Sequence, residues 1–289
     1  MSESQRAVLF VFSGLLGLVI GSFLNVCIYR LPRNCMSLVR PRSRCPKCLA
    51  PIAWYDNIPV ASWILLGGKC RRCRAPISPR YALVELLTGF LFLWAGWRQL
   101  YGSSAPGAER AIRFSVEAAF VGAMIVCTFI DLEFRILPDE VTLPGVIVAA
   151  GASGLFPFLQ APLPLPIREP HLAALAASGL GALVGGGAIY LVGLFGRLVF
   201  RKEAMGLGDV KYMAMAGALL GWRGVLLTFV VACLFGSVFG IGRFVAVRRM
   251  GYVPFGPFLS LGALAMLFGS SWVDRAIRAY LEFCRGLIS

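Results

Sequence analysis

The sequence predicts an all-α polytopic membrane protein: about eight transmembrane helices and one small loop domain held by cysteines. Three observations carry this expectation. Of 289 residues, 58% are hydrophobic and only 15% charged, where a soluble domain carries about a quarter charged residues. Long apolar runs recur from end to end of the chain. The basic residues fall mostly between those runs.

Taking about 20 apolar residues per span, the helices are expected at 7–29, 81–100, 113–130, 140–157, 172–199, 210–222, 224–246 and 255–272. The first follows Arg6 and is longer than the apolar core of a signal peptide. No small-residue cleavage site follows it, so it reads as a membrane helix. The sixth is short and flanked by glycines, and its loss would invert the orientation of all that follows.

Lys and Arg set that orientation. With the N-terminus outside, 19 of the 28 basic residues lie on inside segments. The block 30–80 decides the matter. The net charge of +14 is thereby explained by topology; nucleic-acid binding would need the basic residues gathered on one soluble face. Three regions follow: 1–29, the first transmembrane helix; 30–80, a cytoplasmic loop rich in Arg, Pro and Cys; and 81–289, a polytopic membrane core. About fifty residues bury little core unaided and usually need a staple. Residues 157–170 read as a Pro-rich outside loop. No internal repeat or low-complexity tract is found.

The staple is expected from Cys45-Pro46-Lys47-Cys48 and Cys70-Arg71-Arg72-Cys73, two C-x-x-C pairs separated by 21 residues. Each pair can present two thiolates on one turn, and two turns can close a tetrahedral zinc site. Lys47, Lys69, Arg71, Arg72 and Arg74 favour thiolates. Two disulfides are the competing reading, opposed by the reducing cytoplasm. Four cysteine ligands leave no open position for water, so zinc here is structural. The remaining five cysteines read as small buried residues.

The lone His171 reads as an ordinary loop histidine, and no G-x-S-x-G elbow accompanies it. Glu85 and Glu117 fall near the ends of predicted helices, where acids are tolerated structurally. Asp131 ends the apolar run 116–130. Asp139 follows Pro138 and precedes a helix, and Asp209 closes Gly206-Leu207-Gly208-Asp209 before another. On spacing alone either of the last two is equally an N-cap. Two glycines so close to a carboxylate also allow another backbone to approach it. Two carboxylates sharing one site can hydrolyse an amide, one taking a proton from water and the other donating to the carbonyl oxygen. Spacing does not show that Asp131 and Asp209 meet.

The motifs together are more specific. Gly206-Leu207-Gly208-Asp209-Val210-Lys211 resembles the GxGD signature of intramembrane aspartyl peptidases. Ile130-Asp131 with Leu137-Pro138-Asp139 resembles the first-aspartate motif of the type IV prepilin peptidases. Gly21-Ser22-Phe23-Leu24-Asn25-Val26, Arg30-Leu31-Pro32, Asn57-Ile58-Pro59, the paired C-x-x-C motifs and Arg80-Tyr81 leading to Glu85 match that family in the same order.

The resemblance implies a bifunctional enzyme of the bacterial inner membrane with its active site at the cytoplasmic face. Such enzymes cleave the short basic leader from type IV prepilins and the pseudopilins of type II secretion. They then N-methylate the new N-terminal residue with S-adenosylmethionine. It implies Asp131 and Asp209 as the catalytic pair and Cys45, Cys48, Cys70 and Cys73 as zinc ligands. Asp139 aligns with a recurring aspartate outside the pair. The methyl-donor site is not legible, since no G-x-G-x-x-G fingerprint occurs; residues 21–32 and 57–60 make the first loop a suspect. The acidic patch Glu133, Asp139 and Glu140 is expected to attract a basic leader. Two other classes compete: a proton-coupled carrier using helix-end acids, and a structural membrane subunit with a stapled loop.

Overall fold

The computed structural model describes residues 2–33, 37–40, 42–161, 163, 167–201, 205–247 and 254–288. Arg248, Arg249 and part of the Pro-rich 157–170 stretch lie outside them. Eight α-helices are described: α1 Glu3–Arg30, α2 Ala61–Leu65, α3 Arg80–Tyr101, α4 Gly107–Phe134, α5 Asp139–Leu155, α6 Pro170–Phe200, α7 Leu207–Val247 and α8 Gly256–Ile288. Among the described residues there is no strand, only two isolated bridges. Four helical segments are long and apolar enough to cross a membrane: Glu3–Arg33, Gly107–Phe134, Pro170–Val199 and Leu207–Ala246. These are compatible with a multi-pass membrane protein. Of the other expected spans, 81–100 (α3) is not among these four, α5 has only 17 residues and the apolar part of α8 is short, Gly256–Ser270, so the expected count of eight is not reached among the described residues. The expected helices at 210–222 and 224–246 form one run, bent at Gly221, whose φ of 71° and ψ of 172° leave the helical region.

The chain divides into two compact units, Met1–Ile130 and Asp131–Ser289, with the division inside α4. In the first, α1 packs on α3 through a stripe of glycines. A Cβ on Gly17 would lie 2.8 Å from the Gly89 Cα, and one on Gly21 would lie 2.8 Å from the Glu85 Cα. Small residues let apolar helices meet closely where lipid supplies no hydrophobic drive. Asn25 fixes the register by donating to the Tyr81 carbonyl at 3.0 Å.

Contrary to the expectation of no internal repeat, the loop between α1 and α3 contains a short one. Residues 45–52 and 70–77 share the pattern C-x-x-C-x-A-P-I and fold alike. Cys45 N–H donates to the Ala50 carbonyl and Cys70 N–H to that of Ala75, both at 2.9 Å. Leu49 (φ 56°) and Arg74 (φ 58°) take equivalent left-handed turns, and the bridges Arg44–Pro51 and Lys69–Pro76 close the two copies.

In the second unit α6 lies against α7 at Gly181 and Gly217, where a Cβ on either would run into the other's backbone carbonyl. The α7–α8 contact is pinned by Tyr212, fully buried, whose hydroxyl shares a hydrogen bond of 2.8 Å with that of Ser260. Substituting Gly217→Val is expected to separate α6 from α7 and destabilise the protein by roughly 1–3 kcal/mol, the usual cost of overpacking. Gly187→Val, where a Cβ meets nothing within 4 Å, is the control. Thermal unfolding in detergent distinguishes them, with a lowered Tm expected for the first alone.

Candidate active site

Asp131 lies near the C-terminal end of α4 and is 6% exposed. Its Oδ2 accepts the backbone N–H of Gly256, the first residue of α8, at 2.9 Å. A Cβ on Gly256 would stand 2.6 Å from that oxygen, so only glycine lets the amide reach the carboxylate unobstructed. Gly256 is not among the residues expected from sequence; a glycine between Pro254-Phe255 and Pro257 at the start of an apolar helix is the signal that points to it.

Asp209 is the third residue of α7. It is not the N-cap. Its Oδ2 accepts the N–H of Gly206 at 3.2 Å, the reach of a third-position acid back to the capping residue. Gly208 packs against Leu137, whose Cβ a side chain there would meet at 3.0 Å. The close backbone approach expected at Gly206 and Gly208 thus occurs at Gly256, and on Asp131. The charge of Asp131 bears on Asp209.

Asp139 is the first residue of α5, and no side chain caps that helix. Instead Lys211 Nζ donates to both its carboxylate oxygens, at 2.8 and 2.7 Å. This ion pair joins the start of α7, two residues beyond Asp209, to the segment that follows Asp131. It also meets the charge of Asp139, one of the three acids of the expected acidic patch. His171 sits in the first turn of α6, not in a loop, with Nδ1 2.8 Å from the Gly154 carbonyl oxygen. Glu117 accepts from Gln99 Nε2 at 2.9 Å and pairs with Arg98.

Cys45, Cys48, Cys70 and Cys73 come together, with their sulfurs all within 4.8 Å of one another. None is in a disulfide, and Cys45 Sγ lies 3.8 Å from Cys73 Sγ, far beyond a disulfide bond of ~2.05 Å. A metal with bonds of ~2.3 Å to tetrahedral thiolates needs sulfurs about 3.8 Å apart, so the donor set fits a metal ion. The Cys48 amide holds the Cys45 thiol down to about 6. The Cys73 amide likewise lowers Cys70. The turn's own N–H groups lead here, ahead of the basic side chains expected to do so, and Arg71 is engaged by Asp56 in a two-pronged pair at 2.8 and 2.6 Å. At Cys73 the Ala75 amide pulls down, but burial and the three neighbouring thiols prevail, pushing it up to about 11.

Residues 15–99 match the family model described as Bacterial Peptidase A24 N-terminal domain, and residues 118–241 match the Type IV leader peptidase family. A protein of Stutzerimonas stutzeri named prepilin leader peptidase/N-methyltransferase is 35% identical, over 93% of each chain. The chain belongs to the type IV leader peptidase family. A Pseudomonas aeruginosa protein of the same name is 34% identical, over 93% of this chain and 92% of its own. A Myxococcus xanthus protein so named is 39% identical over 83% of this chain but 65% of its own length. No solved structure gives a significant match.

Two predictions follow from this geometry. The Lys211–Asp139 pair is partly exposed, so a double-mutant cycle on Tm should give a coupling of only ~0.2–1 kcal/mol. Lys211→Asp should lower Tm, and Lys211→Asp with Asp139→Lys should recover most of it. Metal filling the cysteine cluster must displace the Cys73 proton at every pH below about 11. Metal affinity, measured by chelator competition, should therefore fall about tenfold or more per unit drop in pH. It should fall more steeply below about 6, where Cys45 also holds a proton.

Proposed function

We propose that the protein is a bifunctional leader peptidase and N-methyltransferase. Asp131 and Asp209 hydrolyse the bond between the short basic leader and the mature part of a type IV prepilin or pseudopilin. The exposed N-terminal amine is then methylated with S-adenosylmethionine. The observation that carries the peptidase reading is the pair of carboxylates, distant in sequence, that each accept a backbone amide, Asp131 from Gly256 and Asp209 from Gly206, in a region matching the type IV leader peptidase model.

Two carboxylates sharing one site do not both ionise cheaply, so in this reading the pair holds one proton between them. The ionised member takes a proton from a water as that water attacks the scissile carbonyl. The protonated member donates to the carbonyl oxygen; as the tetrahedral species collapses, the first member passes the water proton to the leaving nitrogen and the second recovers its own from the hydroxyl, so the amine leaves neutral and the pair is restored. The Gly256 amide orients Asp131, and the Gly206 amide orients Asp209, so neither carboxylate must be positioned at the moment of reaction.

The four cysteines hold structural zinc: all four coordination positions are thiolates, and the sulfur spacing suits its tetrahedral radius. Residues 30–80 form the methyltransferase-related region. The methyl donor, when bound, supplies a sulfonium methyl to the amine lone pair, the C–S electrons passing to sulfur and the amine proton to water. The protein sits in the bacterial inner membrane among lipid, with both aspartates at the cytoplasmic face, as the concentration of Lys and Arg on one set of segments supports. Nothing favours the carrier reading.

The test is incubation of the purified protein with a prepilin in detergent, with and without S-adenosylmethionine, read by mass. The expected products are the mature pilin and its singly methylated form. Asp131→Asn or Asp209→Asn should leave the prepilin uncleaved, a loss of at least about 10³-fold, while inserting and retaining metal. Full cleavage by either variant would overturn the assignment.

A further inference from the structure

Asp209 stands on α7, and the amide that holds Asp131 comes from the first residue of α8. Hydrolysis by two carboxylates depends on the distance between them, so α7 and α8 must be held in register at this level. A contact one turn further along both helices can do this. Tyr212 follows Asp209 by three residues and Ser260 follows Gly256 by four, the spacings that put residues on one face of a helix. Their hydroxyls share a hydrogen bond of 2.8 Å, and both side chains are buried.

Apolar packing does not need these hydroxyls. Phe and Ala would fill the same places and bury the same rings and methyls. A hydroxyl taken out of water costs free energy unless it is bonded, and two hydroxyls bonded to each other gain only modestly over water. What the pair adds is direction. A hydrogen bond holds its two atoms within a narrow geometry, whereas apolar surfaces slide on one another. Other contacts hold the same stretch of α7 on other sides. Gly208 packs on Leu137, a Cβ on Gly185 of α6 would run into the Met213 carbonyl, and Lys211 pairs with Asp139. Past the bend at Gly221, α7 and α8 meet again where a Cβ on Gly262 would run into the Thr228 carbonyl. Tyr212 and Ser260 thus link the turn of α7 that carries Asp209 to the turn of α8 that carries the donor to Asp131.

We propose that Tyr212 and Ser260 are positioning residues for leader cleavage, an inference that rests on the peptidase reading above and deepens it. The link runs from Asp209 along one turn of α7, across the two hydroxyls, back along one turn of α8, and through the Gly256 amide to Asp131. While it is closed, a shift of α7 carries α8 with it and the two carboxylates keep their separation. Once it is broken the helices slide independently, and the ionised and protonated carboxyls no longer serve the same water and the same carbonyl. Misplacing reacting groups by about 1 Å costs on the order of 10²-fold in rate. The loss falls on kcat and not on KM, because buried hydroxyls offer nothing to a bound prepilin.

The test uses the full-length, metal-loaded protein in detergent. Cleavage kinetics are measured on a prepilin, and deuterium exchange of the segment 254–262 is followed by mass. Tyr212→Phe and Ser260→Ala should each lower kcat about tenfold or more, with KM within about twofold of the wild type. Both should speed exchange at 254–262, where the Gly256 amide lies. The double variant should be no slower than either single one, since the two hydroxyls act as a unit. Its Tm should return toward that of the wild type, since neither hydroxyl is left buried without the other. Thr228→Val is the control. It removes a buried hydroxyl of α7 that bonds within its own helix, to the Gly224 carbonyl at 2.9 Å, and should lower Tm while leaving kcat and the exchange unchanged. Wild-type kcat in both single variants, unaltered exchange at 254–262, losses that add in the double variant, or an equal loss of kcat in Thr228→Val each overturn the proposal. If the wild type itself cleaves no prepilin, the peptidase reading fails and the proposal with it; if the wild type cleaves and the variants match it, the proposal alone fails.

Discussion

A carboxylate among apolar helices must be given a hydrogen-bond donor, because leaving a charged group buried and unpaired costs more than the fold can spare. At Asp131 and at Glu85 a backbone amide answers this. Gly256 N–H reaches Asp131, and Val60 N–H reaches Glu85. In both cases the amide belongs to a chain segment just where a helix begins, so the bond fixes where that helix starts. Neither donor is a side chain. Backbone amides cannot rotate away, and the one at Asp131 engages only Oδ2 of the carboxylate.

Close helix contact is what allows those amides to arrive. Gly17 and Gly21 bring α1 onto α3, and Gly181 and Gly217 bring α6 onto α7. In lipid such contacts gain little from apolar burial and depend on packing and on buried polar bonds such as Tyr212 to Ser260. The glycines of the second unit thereby set the position of α7, and with it Asp209. Lys211 then ties the same helix to Asp139, so the segment after Asp131 and the start of α7 move as one.

The cysteine turns serve the first unit in a related way. Two copies of one eight-residue pattern close on each other, and their own amides prepare two of the four sulfurs to bind as thiolates. A metal at this cluster would rigidify the loop, and Arg71 carries that rigidity to Asp56 and the Asn57-Ile58-Pro59 turn. A loop too small to bury a core is organised in this manner by a staple, a strained turn and the start of α3.

The sequence by itself determined the class of the protein. Apolar runs and basic segments between them require a helical membrane protein, since only helices or closed barrels satisfy the backbone in lipid. The doubled C-x-x-C required a four-sulfur cluster, because its ligands are local. Asp131, Asp209 and Asp139 were each legible as acids at helix ends, and their family motifs named a pair. Tertiary structure decided what depends on segments far apart in the chain. It brought the charge of Asp131 to bear on Asp209, gave Asp139 to Lys211 and not to a helix cap, and delivered the Gly256 amide to Asp131 across a separation of 125 residues. It also moved the glycine-enabled approach from Gly206 and Gly208 to Gly256. Spacing encodes what lies on one turn or one helix face; which distant backbone arrives at a carboxylate is set by how the helices pack, and no local pattern records that.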